Sequence, residues 1–347
     1  MTRRLTAFPA QWLAVVAILV SLPWWVPGDY VFHLATMSVI WSIAAVALNL
    51  VMGYTGLLSV AHGALAMVGG YTASLLVVER SANFWLALLA GALLAAVVGF
   101  FLGVLTLRLR GHYFAISTMA FGIVVALVLE KWESVTGGAR GITYIPPPDS
   151  VTLPVVGTVE FTTDLSKYFL AVAILAVVVA VVRNLVHSRF GRALAAVRSN
   201  ELVARSQGVN VVGHKLAAFT ISAFIAGIAG TLYATYLAYL NPNDASLWTS
   251  FFILMYVVLG GMGTTWGPVL GAFFVVMVPE WLRLFDEYRV LLIGVLLIVT
   301  ITFLPGGLMQ GLNMLGRLVR RAATAVRKSD LRAHAGGRPA AEVRDAR

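Results

Sequence analysis

A chain of 347 residues in which 60% are of hydrophobic types, 32 more are glycine and only 12% are charged has more apolar surface than a water-soluble globule can bury, so a soluble enzyme is excluded. The net charge of +10 would point to nucleic acid in a soluble protein; here the placement of the basic residues reports topology instead. Cysteine is absent, which removes disulfides, iron–sulfur clusters and thiol chemistry.

Arg3 and Arg4 precede an apolar run that imitates a signal peptide, but no small-residue cleavage site follows. Pro23-Trp24-Trp25-Val26-Pro27 follows instead, and its tryptophans suit a membrane interface, so the segment reads as a retained first span. Runs long enough to cross about 30 Å of hydrocarbon then fall at 12–27, 31–51, 57–78, 84–107, 113–129, 168–186 and 216–240. The stretch 250–281 is too long for one ordinary span and is cut by Gly260-Gly261-Met262-Gly263. A last run covers 290–304.

Loop charges orient these spans. With Arg3 and Arg4 in the cytoplasm, Arg108 and Arg110 fall inside, and the acidic-leaning segment 131–167 falls outside. The loop 187–214, with its flanking Arg183 and Lys215, is inside; six basic residues there face a single acid, Glu201. The basic tail 311–347 lies inside only if 250–281 crosses twice, which gives about ten crossings with both termini cytoplasmic. A re-entrant pair of half-helices would give the same sidedness. The tail itself reads as an amphipathic stub on the anionic leaflet followed by a disordered end, and 1–310 as the transmembrane domain.

Glycine clusters inside apolar runs mark either close helix packing or backbone that lines a pathway. Two are present, Gly53, Gly56 and Gly63 in the first and Gly260, Gly261 and Gly263 in the second, with starts 207 residues apart (260 minus 53). Ser59 and His62 lie within the first. An ionisable group in a span is a functional candidate, but a hydrogen-bonded structural histidine fits the same position. His33 and His112 sit nearer span ends, and no histidine pair has ligand spacing with a carboxylate, so no metal site is expected.

The cytoplasmic loop holds the most specific pattern. Residues 188–198 form a basic amphipathic helix candidate containing Gly191, Arg192 and Arg198. Ser199-Asn200 can cap a second short helix through Glu201 and Ala204, and Gly208 is a natural helix stop in a left-handed conformation. Two short helices here would make a rigid knob for a partner's groove; a loop made basic only to fix topology is the alternative. No phosphate-cradling loop occurs, and no lysine follows a glycine. The carboxylates near the spans, such as Glu79, Glu130 and Glu280, stand at the edges, which argues against a membrane enzyme or a buried proton carrier.

Over nearly its whole length the sequence resembles the permeases of branched-chain amino acid ABC importers, of the kind that pairs with a second, related permease. Four motifs carry the resemblance. The first is Gly53-Tyr54-Thr55-Gly56-Leu57-Leu58-Ser59 with His62-Gly63-Ala64. The second is Leu109-Arg110-Gly111-His112-Tyr113-Phe114-Ala115-Ile116-Ser117-Thr118, followed after the fifth span by Thr136-Gly137-Gly138-Ala139-Arg140-Gly141. The third runs from Phe190-Gly191-Arg192 through Glu201 to Gly208, with Lys215-Leu216-Ala217-Ala218-Phe219 beyond it, and the fourth is Leu259-Gly260-Gly261-Met262-Gly263-Thr264 with Gly267-Pro268-Val269-Leu270-Gly271-Ala272.

The resemblance implies an all-α polytopic inner-membrane permease with no cofactor and no enzymatic activity of its own. Its partners would be a second homologous permease, two ABC ATPase subunits, a periplasmic substrate-binding protein and membrane lipids, with no nucleic acid. The third motif corresponds to the ATPase-coupling loop: Gly191, Arg192, Arg198, Glu201, Ala204 and Gly208, with Val203 where the family usually has alanine. Gly53, Gly56, Ser59, His62, Gly63, Gly260, Gly261 and Gly263 become candidates for the translocation pathway. Thr136, Gly137, Gly138 and Gly141 become candidates for a periplasmic-face contact. Urea or short amides as cargo, and a stand-alone secondary transporter or channel, are the competing readings.

Overall fold

Long apolar runs become helices here, and glycines and polar caps decide where each stops. The computed structural model describes residues 7–25, 28–109, 111–153, 157–281 and 306–311, with single positions at 294, 295, 298, 302 and 314. Helix α1 spans Ala7–Trp25, α2 Asp29–Thr55, α3 His62–Arg80, α4 Phe84–Thr106 and α5 His112–Lys131. A one-turn helix α6 (Glu133–Thr136) and a 3-10 turn (Gly138–Arg140) lead to α7, Asp164–His187. Two short helices follow, α8 (Arg189–Ser199) and α9 (Glu201–Ser206), then α10 (Val211–Leu237), α11 (Leu247–Gly260) and α12 (Gly267–Trp281). Asn83, Thr163 and Asn210 accept backbone N–H groups at the starts of α4, α7 and α10, satisfying donors that a helix start leaves open.

Five of these helices, α2, α4, α5, α7 and α10, are long and apolar enough to cross a membrane. The stretch 250–281 divides at the expected glycines into α11 and α12, of 14 and 15 residues. At 1.5 Å per residue these rise about 21 and 23 Å, short of a full hydrocarbon core. The expected span 57–78 is shorter than its apolar run, because helix begins only at His62. Gly56 turns left-handed (φ 78°), and the next residues hand their N–H groups to side chains: Val60 N–H donates to Thr118 Oγ1 at 3.1 Å and Ala61 N–H to Ser59 Oγ at 3.4 Å. The 290–304 run, the stub and tail of 311–347, and Arg3, Arg4 and Arg110 lie largely or wholly outside the described residues.

The segment after α5 is not wholly helical. Strand β1 (Ile142–Thr143) pairs antiparallel with β4 (Tyr239–Leu240), and β2 (Val151–Leu153) with β3 (Gly157–Val159). The first ribbon fastens this segment to the end of α10.

At the centre α10 packs against α3 and α4 through small residues. A Cβ on Gly230 would lie 1.7 Å from the Ala66 carbonyl oxygen, one on Gly69 would lie 2.4 Å from Gly227 Cα, and one on Gly99 would lie 2.3 Å from Ala223 Cβ. Bare backbone lets the three helices approach closely, the means by which helices associate where lipid supplies no hydrophobic drive. Helix α2 lies behind α10, packed also on α7 and α12, and is buried for most of its length. Helices α4 and α5 are the least buried of the five, with 33% and 28% of their apolar windows buried.

Candidate functional site

The loop between α7 and α10 folds as two short helices held at both ends. Ser188 Oγ accepts the Phe190 N–H (3.1 Å) and starts α8; Gly191 lets α8 sit on the end of α7, since a Cβ there would lie 1.9 Å from the Val186 carbonyl oxygen. Asn200 Oδ1 accepts the N–H groups of Leu202 (3.0 Å) and Val203 (3.2 Å) and starts α9. The end of α9 is a Schellman motif: Val209 N–H donates to Ala204 O at 3.0 Å, Gly208 N–H donates to Arg205 O at 2.9 Å, and Gly208 is left-handed at φ 80°. Ala204 packs with Val197 and Val211 in a small apolar cluster that joins α8, α9 and the start of α10. Leu202 and Val203 point away from it and are exposed.

Two charged residues fasten this unit to the bundle. Glu201 pairs with Lys215 in the first turns of α10, whose side chain is only 9% exposed. Sequence reasoning set Glu201 among the arginines of its loop; its partner is this lysine, 14 residues on. Arg198 reaches from α8 to donate to the carbonyl of Gly53 in the last turn of α2. Arg192 points elsewhere, with Nη1 3.4 Å from the His187 carbonyl at the exposed face.

Where Arg198 arrives, the two glycine clusters meet. Asn49 Oδ1 accepts the Gly263 N–H (2.8 Å) and Asn49 Nδ2 donates to the Thr264 carbonyl (2.9 Å), tying α2 to the turn between α11 and α12. A Cβ on Gly53 would lie 2.5 Å from Gly263 N, and one on Gly263 would lie 2.9 Å from both Gly53 O and Arg198 Nη1. Gly56 lies beside the stem of the same arginine. Gly260 packs on Gly267, where a Cβ would lie 1.9 Å from its carbonyl oxygen, and Gly261 carries φ 119° at the turn. Thus α8, the end of α2 and the α11–α12 turn share one junction.

Ser59, His62 and Gly63 lie deeper. The Thr118 that receives Val60 is six residues into α5, about 9 Å along its axis, so non-helical backbone enters the bundle there and is buried in protein. His62 is fully buried, with Nδ1 3.1 Å from Ser59 Oγ and Nε2 2.6 Å from Ser222 Oγ. Ser222 spends its one hydroxyl proton on the Ala47 carbonyl, so it accepts from Nε2–H, and Nδ1 accepts from Ser59. Gly63 N–H donates to Ser250 Oγ at 3.0 Å, and a Cβ at Gly63 would lie 2.7 Å from that oxygen. The histidine and its glycine thereby join α2, α3, α10 and α11.

At the opposite end Thr136 is buried, its hydroxyl held between the carbonyls of Leu129 (2.6 Å) and Trp132 (2.8 Å). Gly137, Gly138 and Gly141 all have positive φ, and a Cβ on Gly141 would lie 2.1 Å from the Leu240 carbonyl oxygen. Gly137 and Gly141 line a hollow of about 610 Å³ with Glu133 and Arg140. Among the described residues no group of three histidine or acidic side chains is placed to hold a metal.

Sequence reasoning missed Asn49, Ser222 and Ser250, and gave Thr118 a place in the second motif but no role. Asn49 carried a usable signal, being the one carboxamide inside the apolar run of α2. The two serines gave none, because such residues in spans usually bond their own helix, as Ser42 does to Ser38 O at 2.6 Å.

Residues 30–301 match the family model described as branched-chain amino acid transport system / permease component. The chain is 36% identical over 314 residues, 86% of its length and 74% of the relative's, to the high-affinity branched-chain amino acid transport system permease protein LivM of Salmonella typhimurium. It is 27% identical over 242 residues to the probable LivM of Methanocaldococcus jannaschii, covering 64% of this chain and 68% of that one. It is 31% identical over 158 residues to the nucleoside ABC transporter permease protein NupC of Lactococcus lactis, covering 43% and 48%. No solved structure matches the chain.

Proposed function

Because the chain belongs to the family of branched-chain amino acid transport permeases, a family of transporter subunits in the membrane and not of enzymes, we propose that it is the LivM-like half of a permease pair that imports branched-chain amino acids. The observation that carries the substrate class is the 36% identity to LivM across 86% of the chain. Two separate ABC ATPase subunits supply the energy, a second homologous permease completes the pathway, and a periplasmic binding protein delivers the cargo.

The coupling reading rests on the α8–α9 unit. It exposes Leu202 and Val203 as an apolar tip, and Arg198 joins it directly to the last turn of α2 and the α11–α12 turn. Force applied to the tip by a closing ATPase pair therefore reaches both breaks through one residue. Helix–break–helix elements buried in protein can re-aim without exposing unpaired backbone to lipid.

Ten crossings with both termini cytoplasmic remain our assignment. It is supported by Tyr30, at the start of α2, donating to Glu280, near the end of α12, at 2.9 Å. With Asn49 binding the turn that precedes α12, that helix runs beside α2 from one end toward the other.

The test is uptake of radiolabelled leucine into proteoliposomes holding this chain with its companion permease, ATPases and binding protein. ATP-dependent uptake of leucine, isoleucine or valine is expected only from the full set. Transport by this chain without ATPases, or of urea or another solute alone, would overturn the assignment.

A further inference from the structure

Under α9 lies a cavity of about 730 Å³, walled by the end of α4, the turn into α5, α9, the start of α10 and the linker after Gly56. Three long cations line it, Arg108, Arg205 and Lys215, against one carboxylate, Glu201, which is spent on Lys215. Arg108 and Arg205 have no ion pair among the described residues, so the cavity carries an uncompensated positive charge. Leu58, Leu109 and Val212 line it as well, each exposed.

An apolar track leads away from this cavity. Val97, Phe101, Val104 and Leu105 follow the i, i+4, i+7, i+8 spacing of one helix face, all are exposed, and Val104 is also part of the cavity wall. The track lies on α4, one of the two least covered of the spanning helices. A basic hollow at the end of a spanning helix, continuous with an apolar stripe down that helix, has the two chemistries of a phospholipid in order. A phosphate there would meet the two guanidinium groups, whose planar donors suit phosphate oxygens, and acyl chains would lie along α4.

We propose that this cavity is a binding site for one anionic phospholipid of the cytoplasmic leaflet. Anionic lipids favour basic hollows between spanning helices on that side, each cation near the surface adding to the attraction. A carboxylate of an ATPase subunit, outside the membrane, would satisfy the arginines but would have no use for the stripe on α4. Because Glu201 and Arg205 belong to α9, the bound headgroup holds the coupling helix from beneath, and occupancy tunes how firmly α9 is seated. The proposal goes beyond the transport reading, since lipid retention depends on neither cargo nor ATP.

The experiment uses the assembled complex in nanodiscs of equimolar phosphatidylglycerol and phosphatidylcholine, with retained lipid counted by native mass spectrometry. The wild type should retain phosphatidylglycerol over phosphatidylcholine by about thirtyfold, the preference that two arginines provide. Arg108→Ala with Arg205→Ala should cut that preference to about twofold while the complex elutes as before, and the double lysine variant should fall between them. Equal retention of the two lipids by the wild type, or full retention by the double alanine variant, would overturn the site. So would a double variant that keeps the lipid but sheds its ATPases, which would assign the cavity to a protein partner. Inorganic phosphate that displaces the lipid completely would assign it to a free anion.

Discussion

Arg198 can reach the Gly53 carbonyl because Gly263, beside it, has no side chain to occupy the space. The guanidinium is a charged donor on a carbonyl at the last turn of α2, where helix ends leave carbonyls without partners and favour cations. Such a bond is worth about 1.5–3 kcal/mol, enough to decide whether α8 moves with α2 or apart from it. Arg198→Ala should therefore insert in normal amounts and assemble with its partners, yet lose about tenfold in ATP-driven uptake while ATP hydrolysis falls much less. Arg198→Lys should recover part of the uptake, as a point charge that lacks the planar fork. Uptake per inserted molecule equal to wild type in the alanine variant would remove Arg198 from the transmission path. Asn49→Ala acts differently, by stranding the Gly263 N–H and the Thr264 carbonyl together. Its expected signature is a lower thermal midpoint of the purified complex, from a loss of about 1–3 kcal/mol.

Two glycines in the α8–α9 unit are required for different reasons, and substitution separates them. At Gly208 a Cβ would meet nothing within 4 Å, so the only obstacle is φ 80°. A β-branched residue resists that conformation by about 1–3 kcal/mol, whereas asparagine adopts it readily. Gly208→Val should leave membrane abundance unchanged while binding-protein-stimulated ATP hydrolysis and uptake fall together; Gly208→Asn should retain most of both. If the valine variant transports like wild type, the end of α9 has no part in coupling. Glu201→Lys should resemble the valine variant, because it strands Lys215, nearly buried, against a second cation. The caps of this unit were legible in the sequence: Asn200 and Gly208 are of the residue types that open and close helices, and both do so here. The need for Gly191 was not, because it arises from the Val186 carbonyl that a turn of chain folds back against it. Nor was the partner of Glu201, since charge counting along a loop says nothing of which cation a helix brings near.

For the molecule as a whole, apolar length located the five helices long and apolar enough to span, and glycine clusters located the two breaks, because both are local properties of the chain. The centre was illegible for the opposite reason: Gly69 meets Gly227 and Asn49 meets Gly263 across more than 150 residues of sequence, and nothing near either residue marks its partner. Sidedness belongs to this scale as well, and the chain offers a direct way to measure it. It has no cysteine, so a single introduced thiol reports one position without background. Tyr144, beside the β1–β4 ribbon, is 92% exposed, and Leu202, at the tip of α9, is 73% exposed. Six basic residues against one acid in 183–215, compared with three basic against four acidic in 131–167, lead us to expect Leu202 inside and Tyr144 outside. In intact cells Tyr144→Cys should therefore react with a membrane-impermeant maleimide, and Leu202→Cys should react only after the membrane is opened. Neither change removes a buried group, so both variants should insert at wild-type levels. The Leu202 thiol should then be shielded when the ATPases are co-expressed, because a docking tip is covered by its partner. Labelling of both thiols from the same side would break the alternation of spans between α5 and α9, and with it the ten-crossing arrangement. A Leu202 thiol that stays inside but is never shielded would keep the topology and remove the docking surface.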